Sequence, residues 1–305
     1  MQLPKHVTLK EVGPRDGLQN EKVHIATADK VQLVNLLSRT GLNYIEVTSF
    51  VHPQWIPQLA DAVEVLQAIK REKDITYAAL VPNMRGLERA LLAGIDEASV
   101  FMSASESHNQ KNINKTIHDT FPILKEVVDG AKAANKHVRG YISTVIGCPY
   151  EGYIHPDKVL QVTDELLAMG VDEISLGDTI GVGVPTQVEH LLEELLKRYP
   201  GDKFAMHFHD TRGTALANIT KSLEMGITKF DSALGGLGGC PYAKGATGNV
   251  ATEDLLYLLD GMGIETGVNM EKLLDAVRFI EQKLGKDVAS KQMAIARNEG
   301  SANIT

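Results

Sequence analysis

The chain has 305 residues, of which 43% are hydrophobic and 23% charged, and its formal charge is −8. That balance argues against a disordered chain, and the negative charge argues against an unaided binder of nucleic acid or of an anionic membrane, since both need a basic face. No apolar run approaches the ~18 residues of a membrane span, the first residues carry no secretory or transit pattern, and two cysteines, Cys148 and Cys240, make no disulfide framework, so a cytoplasmic protein is expected.

Taken in chain order, strand-like and helix-like segments alternate. Strands are predicted at His6–Val12, near residue 43, at Ile75–Val81, near 97, at His137–Thr144, near 173, at Lys203–His209 and near 228. Helices are predicted between them, at about Ala28–Arg39, Gln58–Lys70, Met84–Leu92, Lys115–Asn135, Pro156–Met169, Pro185–Tyr199, Thr214–Met225 and Thr252–Gly261. Four helix-like runs end in a glycine that leads at once into a strand: Gly41, Gly94, Gly170 and Gly226. A helix C′ position with φ > 0 calls for that residue. The strands recur about every 30 residues, the length of one βα unit.

Eight such repeats predict an α/β chain folded as a (β/α)8 TIM barrel. An open doubly wound sheet is the alternative, but no G-x-G-x-x-G follows the first strand. A further helix is expected around Met270–Leu284, followed by a polar, loosely ordered end. The organisation expected is a barrel domain, 1–265, with a C-terminal helical extension packed on it, 266–305.

A barrel's active site lies at the carboxyl ends of its strands. There the sequence places Gly13-Pro14-Arg15-Asp16-Gly17 after strand one, Glu46 and Thr48-Ser49 on strand two, and Gly177-Asp178-Thr179 after strand six. Ser49 and Thr179 are candidates to bind substrate. His207 and His209 end strand seven, and their spacing of two lets both imidazoles point the same way. Strands seven, eight and one adjoin in a closed barrel, so Asp16 can meet the pair, and the following loop brings Asn249. Two imidazoles, a carboxylate and an amide oxygen suit a divalent metal, Mg²⁺ or Mn²⁺ foremost, or a catalytic Zn²⁺ or Co²⁺.

The stretch from Leu234 to Val250 holds six glycines between Gly235 and Gly248, with Cys240 among them. A connection of this kind is usually functional, and a thiol at the mouth of a site can serve as acid, base or nucleophile. Cys148 reads as a packed cysteine. Arg15, next to a metal ligand, can hold a substrate oxygen and stabilise a developing oxyanion, and a salt bridge to Glu46 or Asp178 is compatible with that. Lys22 and Lys111 could meet a phosphate at the rim, although solvated lysines account for both.

GPRDGLQNE (Gly13–Glu21), IEVTSFVHPQWIPQ (Ile45–Gln58), SLGDTIG (Ser175–Gly181), HFHDTRG (His207–Gly213) and GLGGCPYAKGATGNVATED (Gly236–Asp254) together resemble the signature segments of the 3-hydroxy-3-methylglutaryl-CoA lyase family. The R-D-G and H-x-H elements are shared with a wider superfamily of metal-dependent aldolases and Claisen-type synthases. The resemblance implies a barrel that cleaves 3-hydroxy-3-methylglutaryl-CoA to acetyl-CoA and acetoacetate. It implies that Asp16, His207, His209 and Asn249 hold a divalent metal, that Arg15 stabilises the enolate, that Cys240 is catalytic, and that Glu46 and Asp178 serve activity. Asp16, Asp178 and His207 are candidates for the base. An acyl-CoA substrate, a homodimer and a bacterial, cytoplasmic form follow from it. The alternatives are a related acyl-CoA or 2-oxo acid lyase of the same superfamily, a metal hydrolase, and a non-catalytic acyl-CoA-binding barrel.

Overall fold

The computed structural model describes residues 3–238 and 248–302. Among them, eight parallel strands close into a barrel in the order β1 (Thr8–Glu11), β10 (Lys229–Ser232), β9 (Phe204–Phe208), β8 (Glu173–Asp178), β5 (His137–Ser143), β4 (Glu97–Ser103), β3 (Thr76–Leu80) and β2 (Tyr44–Ser49). The fold is the expected (β/α)8 barrel. A short antiparallel pair, β6 (Gly147–Cys148) and β7 (Gly152–Tyr153), lies outside it and was not anticipated. The helices are α1 (Thr27–Leu37), α2 (Ala62–Ala68), α3 (Met84–Ala93), α4 (Glu106–Ile113), α5 (Ile117–Ala133), α6 (Pro156–Ala168), α7 (Pro185–Leu196), α8 (Ala215–Glu224), α9 (Thr252–Gly261), α10 (Met270–Leu284) and α11 (Lys291–Ala302).

Local chemistry starts and stops these elements. Asn83 caps α3 by accepting from the Gly86 amide at 3.0 Å, and Thr116 caps α5 through the Asp119 amide at 2.9 Å. Pro156 and Pro185 open their helices where a missing N–H costs nothing. Gly41, Gly94, Gly170 and Gly226 all take positive φ, as their positions between helix and strand require. At Gly41 a Cβ would also stand 2.1 Å from the Gly267 carbonyl oxygen, so this turn admits no side chain.

The two faces of the sheet differ in kind. Outward residues such as Ile45, Val100, Ile174, Met206 and Phe230 are buried against the helices, and the hydrophobic core lies there. Inward residues are largely polar: Lys10, Tyr44, Glu97, Arg139, Glu173 and Asp231 are all buried within the barrel wall. Arg139 reaches Glu173 at 2.8 Å and Asp231 at 2.6 Å, and Lys10 reaches Glu173 at 2.7 Å.

Where a loosely ordered polar end was expected, the structure has α11. Its start is fixed by Asp254, whose carboxylate accepts from the amides of Lys291 and Gln292. Isolated polarity concealed a helix whose cap comes from another part of the chain. The expected helix at Met270–Leu284 is α10, and its Leu273, Ala276, Val277, Ile280 and Leu284 join the common core.

Two buried carboxylates hold the root of the glycine-rich stretch. Glu11 accepts from the amides of Gly13 (2.7 Å) and Leu234 (3.0 Å) and from Thr252 Oγ1 (2.7 Å). Glu253 accepts from the Gly235 amide with both oxygens at 3.0 Å. Burial raises each from the ordinary 4.5 to about 7, against the hydrogen bonds that lower it. A carboxyl with a raised folded-state pKa adds stability that is fully present below pH 4.5 and lost as pH rises through 7. Glu253→Gln, neutral at every pH, should therefore gain on the parent by on the order of 2–3 kcal/mol between pH 4.5 and 7.5. Urea unfolding of both proteins across that range measures it, and parallel stability curves would refute the assignment.

Candidate active site

The carboxyl end of β1 is built by a wide turn. The amides of Arg15, Asp16 and Gly17 all converge on the Val12 carbonyl, at 3.1, 2.7 and 3.3 Å. Gly13 is necessary there, because a Cβ would lie 2.5 Å from Glu11 Oε1. The turn aims Arg15 and Asp16 across the barrel mouth. Arg15 Nε donates to Glu46 Oε2 at 2.5 Å, and its Nη1 donates to Asp16 Oδ1 at 2.5 Å. Its guanidinium lies 5.2 Å from the centre of the Tyr141 ring. The two carboxylates raise the pKa of Arg15 despite its burial, so it is a fixed cation.

His207 and His209 face the same side of β9, their ring centres 5.3 Å apart. Asp16, His207 and His209 each offer a donor atom, and these atoms lie within 4.8 Å of one another. Burial raises the Asp16 carboxyl, but Arg15, His207 and His209 overcome this and hold it at about 2. Burial and the neighbouring His207 push His209 down to about 4, so its ring is neutral at pH 7. His209 Nδ1 is buried and has no hydrogen-bond partner among the described residues. An anionic oxygen, a neutral imidazole and an orphaned ring nitrogen fit a divalent cation, which needs deprotonated donors. Asn249 pairs with His209 through a backbone bridge, and its amide nitrogen donates to Asp16 Oδ2 at 2.7 Å.

A cavity of about 1100 Å³ opens at this end of the barrel. Arg15, Asp16, Thr179, His207, His209 and the exposed Trp55 are among the residues lining it. Thr179 Oγ1 also accepts from the Thr144 amide at 2.8 Å. Two anticipated residues lie differently. Asp178 spends its carboxylate on the amides of Val182 (3.2 Å) and Gly183 (2.8 Å), which shapes the loop after β8. Ser49 is buried and accepts from the Val51 amide at 3.2 Å. Lys22 is exposed, and Lys111 lies over the Tyr150 ring at 3.8 Å. Cys148 is buried with its Sγ 3.0 Å from Ser105 Oγ. Cys240 falls outside the described residues.

Sequence reasoning missed Tyr141, Arg139, Ser175 and Asp231, which stand directly behind the site. Tyr141 OH donates to Glu46 Oε2 at 3.1 Å, and Asp231 Oδ2 lies 3.1 Å from His207 Nδ1. Burial raises Asp231, but Arg139 and His207 bring it well below the usual carboxylate range. The available signal was the alternation of polar residues along β5 and β10.

A closed barrel whose carboxyl mouth joins a fixed arginine to a cluster able to hold a divalent cation defines a barrel enzyme acting on an oxyanion-forming substrate. The chain belongs to the HMGL-like family, whose model matches residues 6–280. It is 58% identical over 298 residues to the hydroxymethylglutaryl-CoA lyase YngG of Bacillus subtilis, covering 98% of this chain and 100% of that one. The crystal structure of the B. subtilis HMG-CoA lyase superposes with a TM-score of 0.96 at 58% identity, covering 97% of this chain and 100% of that one. An HMG-CoA lyase from Acinetobacter baumannii, solved in complex with coenzyme A and 3-methylmalate, superposes with a TM-score of 0.90 at 38% identity and 95% coverage of each chain.

Proposed function

We propose that the protein is a divalent-metal-dependent carbon–carbon lyase that cleaves 3-hydroxy-3-methylglutaryl-CoA to acetyl-CoA and acetoacetate. The observation that carries this is the meeting of Arg15 with Asp16, His207 and His209 in one cavity of a chain with this family membership. Asp16, His207, His209 and Asn249 would hold the cation, with Mg²⁺ or Mn²⁺ suited to the mixed oxygen and nitrogen set. When bound, the cation supplies Lewis acidity at the substrate hydroxyl.

The residues do the rest. The C3 hydroxyl proton passes to Asp16, whose carboxylate lines the cavity, and His207 serves as a ligand beside it. As that oxygen becomes a ketone, the C2–C3 bond breaks and its electron pair moves onto the thioester as an enolate. Arg15, a fixed cation, is placed to stabilise the enolate oxygen. Glu46 and Tyr141 orient Arg15 through the 2.5 Å and 3.1 Å hydrogen bonds. Protonation of C2 yields acetyl-CoA, and Cys240 is assigned that proton. Thr179, which lines the cavity, and the buried Ser49 are assigned to substrate binding, and Asp178 supports the loop after β8. No helix among the described residues is long and apolar enough to cross a membrane. The same reading carries an acyl-CoA ligand, a homodimer and a cytoplasmic location, with 1–265 as the catalytic barrel and 266–305 as its packed extension.

Incubation of the purified protein with 3-hydroxy-3-methylglutaryl-CoA and Mg²⁺ or Mn²⁺ should release acetoacetate, and EDTA should abolish the release. Folded, metal-loaded protein that releases none would overturn the substrate assignment.

A further inference from the structure

A polar chain runs along the inner wall of the barrel from Arg15 to His207. Arg15 donates to Glu46 at 2.5 Å, Tyr141 donates to the same Glu46 oxygen at 3.1 Å, and Arg139 Nη1 donates to Tyr141 OH at 2.8 Å. Arg139 Nη2 donates to Asp231 Oδ1 at 2.6 Å. Asp231 Oδ2 then meets Ser175 Oγ at 2.8 Å and His207 Nδ1 at 3.1 Å. Glu46, Arg139 and Asp231 are all within 1% of complete burial.

The direction of the last bond follows from donor chemistry. Asp231 is the anion of a buried ion pair with Arg139, and an ionised carboxylate offers only acceptors. His207 Nδ1 must therefore carry a proton and donate it, so Nε2 is the nitrogen left to meet a cation. Nε2 faces Asp16 Oδ2 across 4.0 Å, beyond hydrogen-bond reach. Two ligands on one small octahedral cation lie about 3 Å apart when adjacent and about 4 Å apart when opposite. The gap suits a shared cation.

The geometry assigns Asp231 as a positioning residue: it fixes the tautomer and ring orientation of His207 so that Nε2 presents its lone pair to the cation. Through Arg139 and Tyr141 the same buried chain places Arg15, so the cation side and the oxyanion side of the site share one support. This inference rests on the reading of Asp16, His207 and His209 as a cation site. Outer partners of metal-binding imidazoles commonly act this way.

The test uses metal-free protein labelled with ¹⁵N-histidine. A long-range proton–nitrogen spectrum reports which ring nitrogen bears hydrogen, and His207→Gln identifies the signal by its loss. Wild type should show His207 protonated on Nδ1. Asp231→Asn should lose that preference and bind Mn²⁺ about 10–100-fold more weakly, with Ser175→Ala affected less on both counts. An Nε2–H tautomer in the wild-type protein would overturn the assignment whether or not the variants fold. So would a folded Asp231→Asn protein that binds Mn²⁺ as wild type does. Wild-type protein that takes up no Mn²⁺ at all would instead overturn the cation site on which the inference rests.

Discussion

Arg15→Gln should lower kcat for acetoacetate release by about 10³-fold, the loss that follows removal of an oxyanion donor. The guanidinium contributes more than charge. It meets Glu46 and Asp16 with separate nitrogens, both at 2.5 Å, and only a planar fork spans that pair. Arg15→Lys should therefore recover little of the rate. The substitution also strands Glu46, which is completely buried, and breaking a buried ion pair from one side costs about 3–5 kcal/mol. Catalysis and stability can be separated by the double variant Arg15→Gln with Glu46→Gln. It should regain thermal stability without regaining rate. Turnover of the folded single variant within about tenfold of the parent, which is 1.4 kcal/mol in barrier height, would remove Arg15 from the chemistry.

Asp16→Ala should remove the one carboxylate that the described residues bring to the cation cluster. The loss in Mn²⁺ affinity should exceed the about 10–100-fold expected of an outer partner, and turnover should become immeasurable at metal concentrations that saturate the parent. Protonation is not the cause of any acid loss of metal at this residue, since the carboxyl stays ionised down to about pH 2. His209 is different. Its ring, pushed down to about 4, remains a neutral ligand above that pH and becomes a cation below it. Metal titration of the parent and of Asp16→Ala at pH 7 tests the assignment. Unchanged stoichiometry and affinity in the variant would move the cation elsewhere.

Much of this site was legible in the sequence because its residues sit at punctuation. Arg15 and Asp16 follow a strand and stand between glycines, and His207 and His209 end one. Such positions acquire meaning once the eight-fold repeat is seen. The four helix-ending glycines were equally readable, since positive φ leaves few other choices. The supporting residues were harder to find. Arg139 and Tyr141 lie within HVRGYIS, and Asp231 within KFDS. A period-two pattern of polar and apolar residues normally describes a sheet with one face in water. Here the polar face turns into a closed barrel, and only closure brings Arg139 to Asp231, 92 residues away. Asp178 and Ser49 show the converse. Ser49 is expected to bind substrate and Asp178 to serve activity, and in the structure their side chains also accept backbone amides of the next turn. Sequence identifies the end of a strand but not which way a short side chain leans. The start of α11 was hidden for a similar reason, because its capping carboxylate belongs to α9.

The polar lining also bears on how the barrel can assemble. Most TIM barrels fill the interior with branched aliphatic residues, so a partly formed sheet would expose an apolar concave surface and two open edges. In this chain the concave surface of an incomplete sheet carries Lys10, Glu97, Arg139 and Glu173. Charges facing inward are a recognised guard against edge-to-edge association of strands. The ion pair between Arg139 on β5 and Asp231 on β10 joins strands that are not neighbours in the sheet, so this pair cannot dehydrate before the sheet curls. An unfinished molecule stays wettable on its inner side, and the aggregation hazard of slow, long-range strand pairing is confined to the outer face that the helices cover.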